Sequence, residues 1–265
     1  MTDAPILEAS APPEVHSISI RDVLQAIKAG MADFKRAPVF GLFFAAFYVV
    51  LGNLIYLQLD VLDQSYWIIP LGLGFPLLAP FLAVGLYEVS RRIETEQPLD
   101  WAQILGVVFS QKDRQFPSIA MVIIMIFMFW VFVAHLVFAI FMGLEPLTNI
   151  TSNWQDALLN RNGITMLFVG TAVGAVLSFS LFSLTVVSLP MLLDREMDFI
   201  TAMIFSVQSV LYNPVPMVAW GAVISIGMLV AMLPFFLGLF IILPVLGHAT
   251  WHLYRRMMHF ADQPG

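Results

Sequence analysis

Pro234 to Arg256 reads PFFLGLFIILPVLGHATWHLYRR, an apolar run broken by Pro244 and closed by two arginines. A stretch 164 residues earlier, Pro70 to Arg92, reads PLGLGFPLLAPFLAVGLYEVSRR and follows the same plan. Under that shift Pro70, Leu73, Gly74, Pro80, Leu82, Arg91 and Arg92 coincide with Pro234, Leu237, Gly238, Pro244, Leu246, Arg255 and Arg256, 7 identities in 23 positions. Tyr87 falls on Trp251. Proline bends a helix, and arginine anchors one at a membrane surface. The shared positions are therefore those that shape a transmembrane segment, and an internal repeat built in a bilayer is expected.

Composition points the same way. Of 265 residues, 60% are hydrophobic and 11% charged, with a mean hydropathy of +0.87. A soluble domain carries about 25% charged residues, so this chain has too few to cover a water-facing surface. The net charge of −6 comes from acids scattered through loops and tails. No basic surface for nucleic acid is present. Cysteine is absent, which excludes disulfides, thiolate metal sites and cysteine nucleophiles. No triad spacing, phosphate loop or HExxH motif occurs. The expectation is a protein that is not an enzyme and has no resident cofactor. Residues 1–20 hold Asp3, Glu8, Glu14 and three prolines without a long apolar run. They read as a disordered cytosolic tail rather than a signal peptide, followed by one membrane domain over 21–258 and a short tail over 259–265.

Along the chain one unit recurs three times. In Asp22–Arg36, Leu24, Ile27, Met31 and Phe34 share one helical face, with Arg21, Lys28, Lys35 and Arg36 around it. Such a helix lies flat at the headgroups. Pro38 then opens an apolar run to about Leu59, long enough to cross a hydrocarbon core of about 30 Å. A turn with Asp60 and Asp63 leads past Trp67 to a second span ending near Glu88. Asp100 and Asp198 open the same kind of short helix, and Pro117 and Pro214 open the spans that follow. The third span ends near Gly143. The fourth, Ile164 to Leu193, follows a polar loop with a glycosylation-like Asn149-Ile150-Thr151 and is kinked at its end by Pro190. Each aspartate suits a helix N-cap and each proline a helix start. Residues 215–254 hold two spans with a tight turn near Leu233-Pro234, or a single re-entrant element. The predicted fold is all-α, a polytopic membrane protein of six transmembrane helices in three hairpins, each preceded by an amphipathic interfacial helix. That topology puts 11 of the 12 Lys and Arg residues on one side, with Arg161 alone on the other. The positive-inside rule then makes both termini cytosolic.

Few residues could carry chemistry. His135 lies within the third span; it is a haem or metal ligand, or a neutral imidazole bonded to a carbonyl or hydroxyl. His248 and His252, four apart on one helix face, have chelate spacing but sit beside the closing arginines at headgroup level. Pro80 and Pro244 free backbone carbonyls, as broken helices do at transporter sites, or simply kink for packing. The pairs Arg91/Arg92 and Arg255/Arg256 grip lipid phosphates or anchor topology, and Glu88 is placed to pair with Arg91 and Arg92. Gly170, Gly174 and Ser178 form a four-residue ladder of small residues suited to close helix packing. No Asp, Glu, Lys or Arg falls at mid-span, which weighs against a proton pump.

Ser188–Met203 (SLPMLLDREMDFITAM), Asn213–Met217 (NPVPM), Leu243–Arg256 (LPVLGHATWHLYRR) and Phe75–Arg92 (FPLLAPFLAVGLYEVSRR) resemble a family of uncharacterised integral inner-membrane proteins common in proteobacteria. The resemblance implies a multi-helix bacterial membrane protein and no catalytic residue. Some members carry a label resembling cytochrome c oxidase subunit I. That subunit holds two haems and a copper with more histidine ligands than the five histidines of this chain, of which only His135 lies deep in a span. The leading expectation is a scaffold or accessory subunit whose partners are the lipid bilayer, another membrane protein or a second copy. A transporter or channel for a small or lipidic solute, using the proline-broken second and sixth helices, is the alternative. A haem- or metal-binding subunit is a third.

Overall fold

The structure, a computed structural model, describes residues 13–57, 68–143 and 160–260, with backbone alone over 68–79 and at 112. Its helices are α1 (Ile20–Arg36), α2 (Pro38–Tyr56), α3 (Ile68–Glu94), α4 (Trp101–Ser110), α5 (Phe116–Met142), α6 (Arg161–Thr185), α7 (Ser188–Asp194), α8 (Phe199–Tyr212), α9 (Pro214–Met232) and α10 (Leu239–Met257). One short antiparallel pair, β1 (Glu14–Val15) with β2 (Met258–His259), joins the two ends of the chain. The turn at Asp60 and Asp63, Trp67 and the Asn149 motif lie outside the described residues.

Among the described residues, four helices are long and apolar enough to cross a membrane: Pro38–Tyr56, Phe116–Met142, Arg161–Asp194 (α6 continued by α7) and Pro214–Met232. The two repeat stretches fall on α3 and α10, which pack on each other and on α2. Their prolines do not break them. Both helices run on through Pro80 and Pro244, and both prolines are buried. Only the C-terminal halves of the two stretches match in conformation. Pro70 to Gly74 lie inside α3, whereas Pro234 to Gly238 form the turn between α9 and α10.

That turn makes 214–257 two helices rather than one re-entrant element. Phe235 and Phe236 adopt left-handed backbone (φ 50° and 64°), which a bulky residue enters only under constraint. The constraint comes from α2. Asn53 Nδ2 donates to the Phe235 carbonyl at 2.9 Å, Tyr56 meets the Phe235 ring edge-on, and the Phe236 ring lies over Gly52. A Cβ on Gly238 would stand 2.7 Å from the Ala231 backbone, so the closing residue has to be glycine.

The three short helices start and stop much as predicted. Asp100 accepts from Gln103 N and Asp198 from Thr201 N, both at 2.9 Å. Pro38, Pro117 and Pro214 stand in the first turns of α2, α5 and α9. The first unit departs from the pattern. Ser19 holds the N-cap, and Asp22 sits one turn in, accepting from Ser19 N and Oγ at 2.9 and 2.7 Å. The face α1 buries is also not Leu24, Ile27, Met31 and Phe34. It is Val23, Ala26, Gly30 and Asp33, laid against α10. Small residues let two backbones approach more closely than leucines do, and Leu24 is left outward at 55% exposure.

Residues expected in a disordered tail are part of the fold. His16 N donates to the Met257 carbonyl, the His16 ring stacks on His259, and Asn213 Oδ1 accepts from Ile18 N at 2.7 Å. The domain therefore reaches back beyond 21 and forward through 259. Pro190 acts four residues upstream of itself, where α6 gives way to α7 at Val186-Val187. There the Val187 N–H donates to Ser206 Oγ of α8 at 3.1 Å.

Candidate functional site

The crossing of α1 over α10 builds a polar cluster inside the bundle. At Gly30 a Cβ would lie 2.6 Å from Ala249 N and from the Val245 carbonyl oxygen. One turn later Asp33 enters the α3–α10 seam. Ser90 Oγ of α3 donates to Asp33 Oδ2 at 2.8 Å, and its other contact is His248 Nδ1, also 2.8 Å. A hydroxyl has one proton to give, so His248 Nδ1–H donates to Ser90. His252 Nε2 reaches the same Asp33 Oδ2 at 2.7 Å.

Ser90 and His248 are fully buried, and the His248 Nε2 makes no hydrogen bond. The Leu86 backbone lies near that ring but outside hydrogen-bond geometry. The order is His248 to Ser90 to Asp33, with His252 on the far side. A hydrolytic triad places histidine between serine and acid; here serine is in the middle and donates directly to the carboxylate. What the cluster does provide is a tie from α1 to both repeat helices through one carboxylate oxygen. It also forms a hydrogen-bonded path from half-buried His252 to enclosed His248. Among the described residues no group of three or more His, Asp and Glu could hold a metal ion. In the structure His248 and His252 make separate bonds, to Ser90 and to Asp33.

The four closing arginines are engaged by carboxylates. Glu88 is fully buried and takes Arg91 Nε at 2.7 Å and Arg92 Nε at 2.6 Å. Arg92 reaches on to Gln103 Oε1 of α4 at 2.7 Å. Arg255 meets Glu94 at 3.0 Å, and Trp251 Nε1 donates to the same carboxylate at 2.9 Å. Tyr254 OH donates to Asp194 Oδ2 at 2.8 Å. Arg256 meets Asp22 at 3.2 Å and Gln25 at 2.9 Å. The ring binds the ends of α1, α3, α4, α7 and α10 into one plate. Two acids on this side are held below the ordinary carboxylate range. For Asp22 the main cause is the Ser19 hydroxyl, then the Ser19 backbone and Arg256; for Asp198 it is Thr201, by side chain and then backbone.

A third feature lies between α5 and α6. Trp130, Ala134, His135 and Phe138 on one side and Leu167, Gly170, Thr171 and Gly174 on the other line a groove of about 410 Å³. His135 bonds within its own helix, Nδ1 to the Val131 carbonyl at 2.8 Å. Gly174 packs under Trp130, while Gly170 has room to spare before Val137. Ser178 is exposed on α6, so the three small residues do not form one continuous contact.

Residues 68–194, or 127 of 265, match the family model described as Predicted integral membrane protein (DUF2189). The chain is similar to that family over α3 to α7. No curated protein and no solved structure matches it. With four helices of spanning length, the chain is an integral membrane protein. The matched region holds Glu88, Ser90 and the groove; Asp33, His248 and His252 lie outside it. Asp33 and Ser90 were invisible as site residues in the sequence. The available signal was Ala26 and Gly30, a small-residue pair four apart, with a lone acid next on that face.

Proposed function

We propose that the protein is a non-catalytic scaffold or accessory subunit of a bacterial inner membrane. In this reading α2, α3, α5, α6 with α7, α9 and α10 are six membrane-embedded helices in three hairpins. Both termini and the arginine plate face the cytosol. The exposure of α5 carries the proposal. Only 6% of the apolar window of α5 is buried within the chain, against 39% for α2 and 44% for α6–α7. The buried residues of α5 are Phe116, Ile119, Ala120 and Ile123 near its start, and then Val137. Beyond its base, α5 presents Met125, Phe129, Phe132, Leu136 and Ile140 outward at three- and four-residue spacing. That spacing is the seam a second helix packs against, so the partner is a transmembrane segment of another membrane protein. The test is a photo-crosslinking amino acid at Phe132, activated in intact cells. One dominant protein adduct, weakened by Phe129→Ala with Leu136→Ala, is expected. Adducts to lipid alone would refute the role.

A transporter is the second reading, favoured by one observation: the buried Asp33–Ser90–His248 path lies between the two proline-bearing helices. It requires solute flux in vesicles that falls with Asp33→Asn and with Pro80→Ala, and unchanged flux in both would end it.

A further inference from the structure

We propose that the groove between α5 and α6 is a binding site for a membrane-soluble phenol, a ring body carrying a single hydroxyl. The inference does not depend on the scaffold role. It starts from two polar atoms, on exposed side chains of α5 and α6, that find no partner among the described residues. A carbonyl only accepts, so the His135–Val131 bond requires the proton on Nδ1. Nε2, at the opposite edge of the ring, therefore carries a lone pair and no hydrogen bond among the described residues. Thr171 of α6, which lines the same groove, also makes no hydrogen bond there. On the same helix Thr165, Ser180, Ser183 and Thr185 each donate to the carbonyl four residues back, whereas Thr171 and Ser178 do not. An unpaired polar group in hydrocarbon is costly, and here two such groups line one cavity.

One hydroxyl satisfies both, donating to His135 Nε2 and accepting from Thr171 Oγ1. An ether or ketone cannot donate to Nε2, and an ammonium or carboxylate would bring a charge into the bilayer. Trp130 and Phe138 offer ring faces for stacking. Ala134, Gly170 and Gly174 keep the floor low. The volume of about 410 Å³ falls within the range of about 300–1,000 Å³ typical of small-molecule pockets. At ~1.5 Å per residue, His135 lies about 10 Å from the Met142 end of α5 and Thr171 about 15 Å from the Arg161 end of α6. Both are at a depth reached by lipid-dissolved rings.

The experiment uses the purified full chain in nanodiscs, with no partner present, so its outcome is separate from that of the crosslinking test above. The probe is a 4-alkylphenol with a diazirine in its tail, and the labelled peptides are mapped by mass spectrometry. Labelling should concentrate on 124–142 and 161–185. Excess 4-nonylphenol should compete, and its methyl ether should not. Thr171→Val and His135→Leu should each cut the site labelling about fivefold or more, the loss expected for one hydrogen bond. Background labelling of α2 and α9 should stay constant, which controls for partition and for folding. Even labelling over all lipid-facing helices would overturn the proposal, as would equal competition by the ether. So would a Soret band that disappears in His135→Leu, since the same free Nε2 would then be an axial ligand.

Discussion

Replacing Gly30 with alanine should release α1 from the bundle. The added Cβ would stand 2.6 Å from Ala249 N and the Val245 oxygen, and 2.9 Å from Ala249 Cα. All three are backbone atoms of α10 and none can rotate away. Ordinary contact begins at 3.4 Å, so α1 must retreat by the difference, about 0.8 Å. Asp33 moves with it. Its bonds to His252 and Ser90, now 2.7 and 2.8 Å, stretch to about 3.5 Å, where a hydrogen bond has largely gone. Two bonds to a carboxylate are worth about 3–6 kcal/mol together. Alanine returns about 1 kcal/mol in helix propensity, leaving a net loss of about 2–5 kcal/mol. The lower bound corresponds to about a 30-fold rise in the undocked population. The chain has no cysteine, so Val23→Cys, at 2% exposure, gives a clean reporter on the docked face of α1. Its maleimide labelling rate in nanodiscs should rise by about 30-fold or more when Gly30→Ala is added. Gly106→Ala, where a Cβ meets nothing within 4 Å, should leave the rate unchanged. A change below threefold with Gly30→Ala would refute the reasoning.

Glu88→Gln strips the carboxylate from two guanidiniums, one of them nearly enclosed. It should lower unfolding stability in mixed micelles by about 3–5 kcal/mol, and a loss under 1 kcal/mol would show that water already serves the site. Gly238→Ala should destabilise the α9–α10 turn, whereas Phe235→Gly should be near neutral: relief of a left-handed backbone, about 1–3 kcal/mol, offsets the lost Tyr56 contact. Urea melts of the two variants side by side check that order. For acid, the depressed carboxylates of Asp22 and Asp198 set the sign. Each adds stability that is fully present above the ordinary value of 3.8 and disappears as pH falls through its lower folded value. Asp22→Asn with Asp198→Asn should therefore flatten the stability profile below about pH 4, read by circular dichroism, and leave its slope near neutrality untouched.

What could be read from the sequence was whatever is local. The starts of the second and third short helices, the prolines that open α2, α5 and α9, and the Glu88–Arg91–Arg92 pairing involve residues within four positions of one another, so spacing alone exposes them. The all-helical membrane class follows from composition. Among the described residues, the four helices long and apolar enough to cross a membrane fall close to predicted spans, because polar or turn-forming residues bound them. Errors came where a second surface decides. Leu24, Ile27, Met31 and Phe34 are the more hydrophobic stripe of α1, but Leu24 points outward and the other three are only half-buried. The bundle takes the stripe with the smaller side chains instead.

The buried cluster was hidden for the same reason. Asp33, Ser90 and His248 are separated by 57 and 158 residues, and each alone looks like an isolated polar residue near a helix end. Only the contact at Gly30 puts Asp33 within reach of the other two. Without Asp33, Ser90 would be free to donate to His248, and no tautomer could be assigned. A glycine with no polar atom in its side chain thus determines where the protons of the cluster sit. The sequence likeness at a shift of 164 relates parts of α3 and α10, but the residues that make their seam polar do not obey it. The 164-residue shift places Val84 opposite His248 and Ser90 opposite Tyr254. The likeness of the two stretches builds the frame, and their differences carry its chemistry.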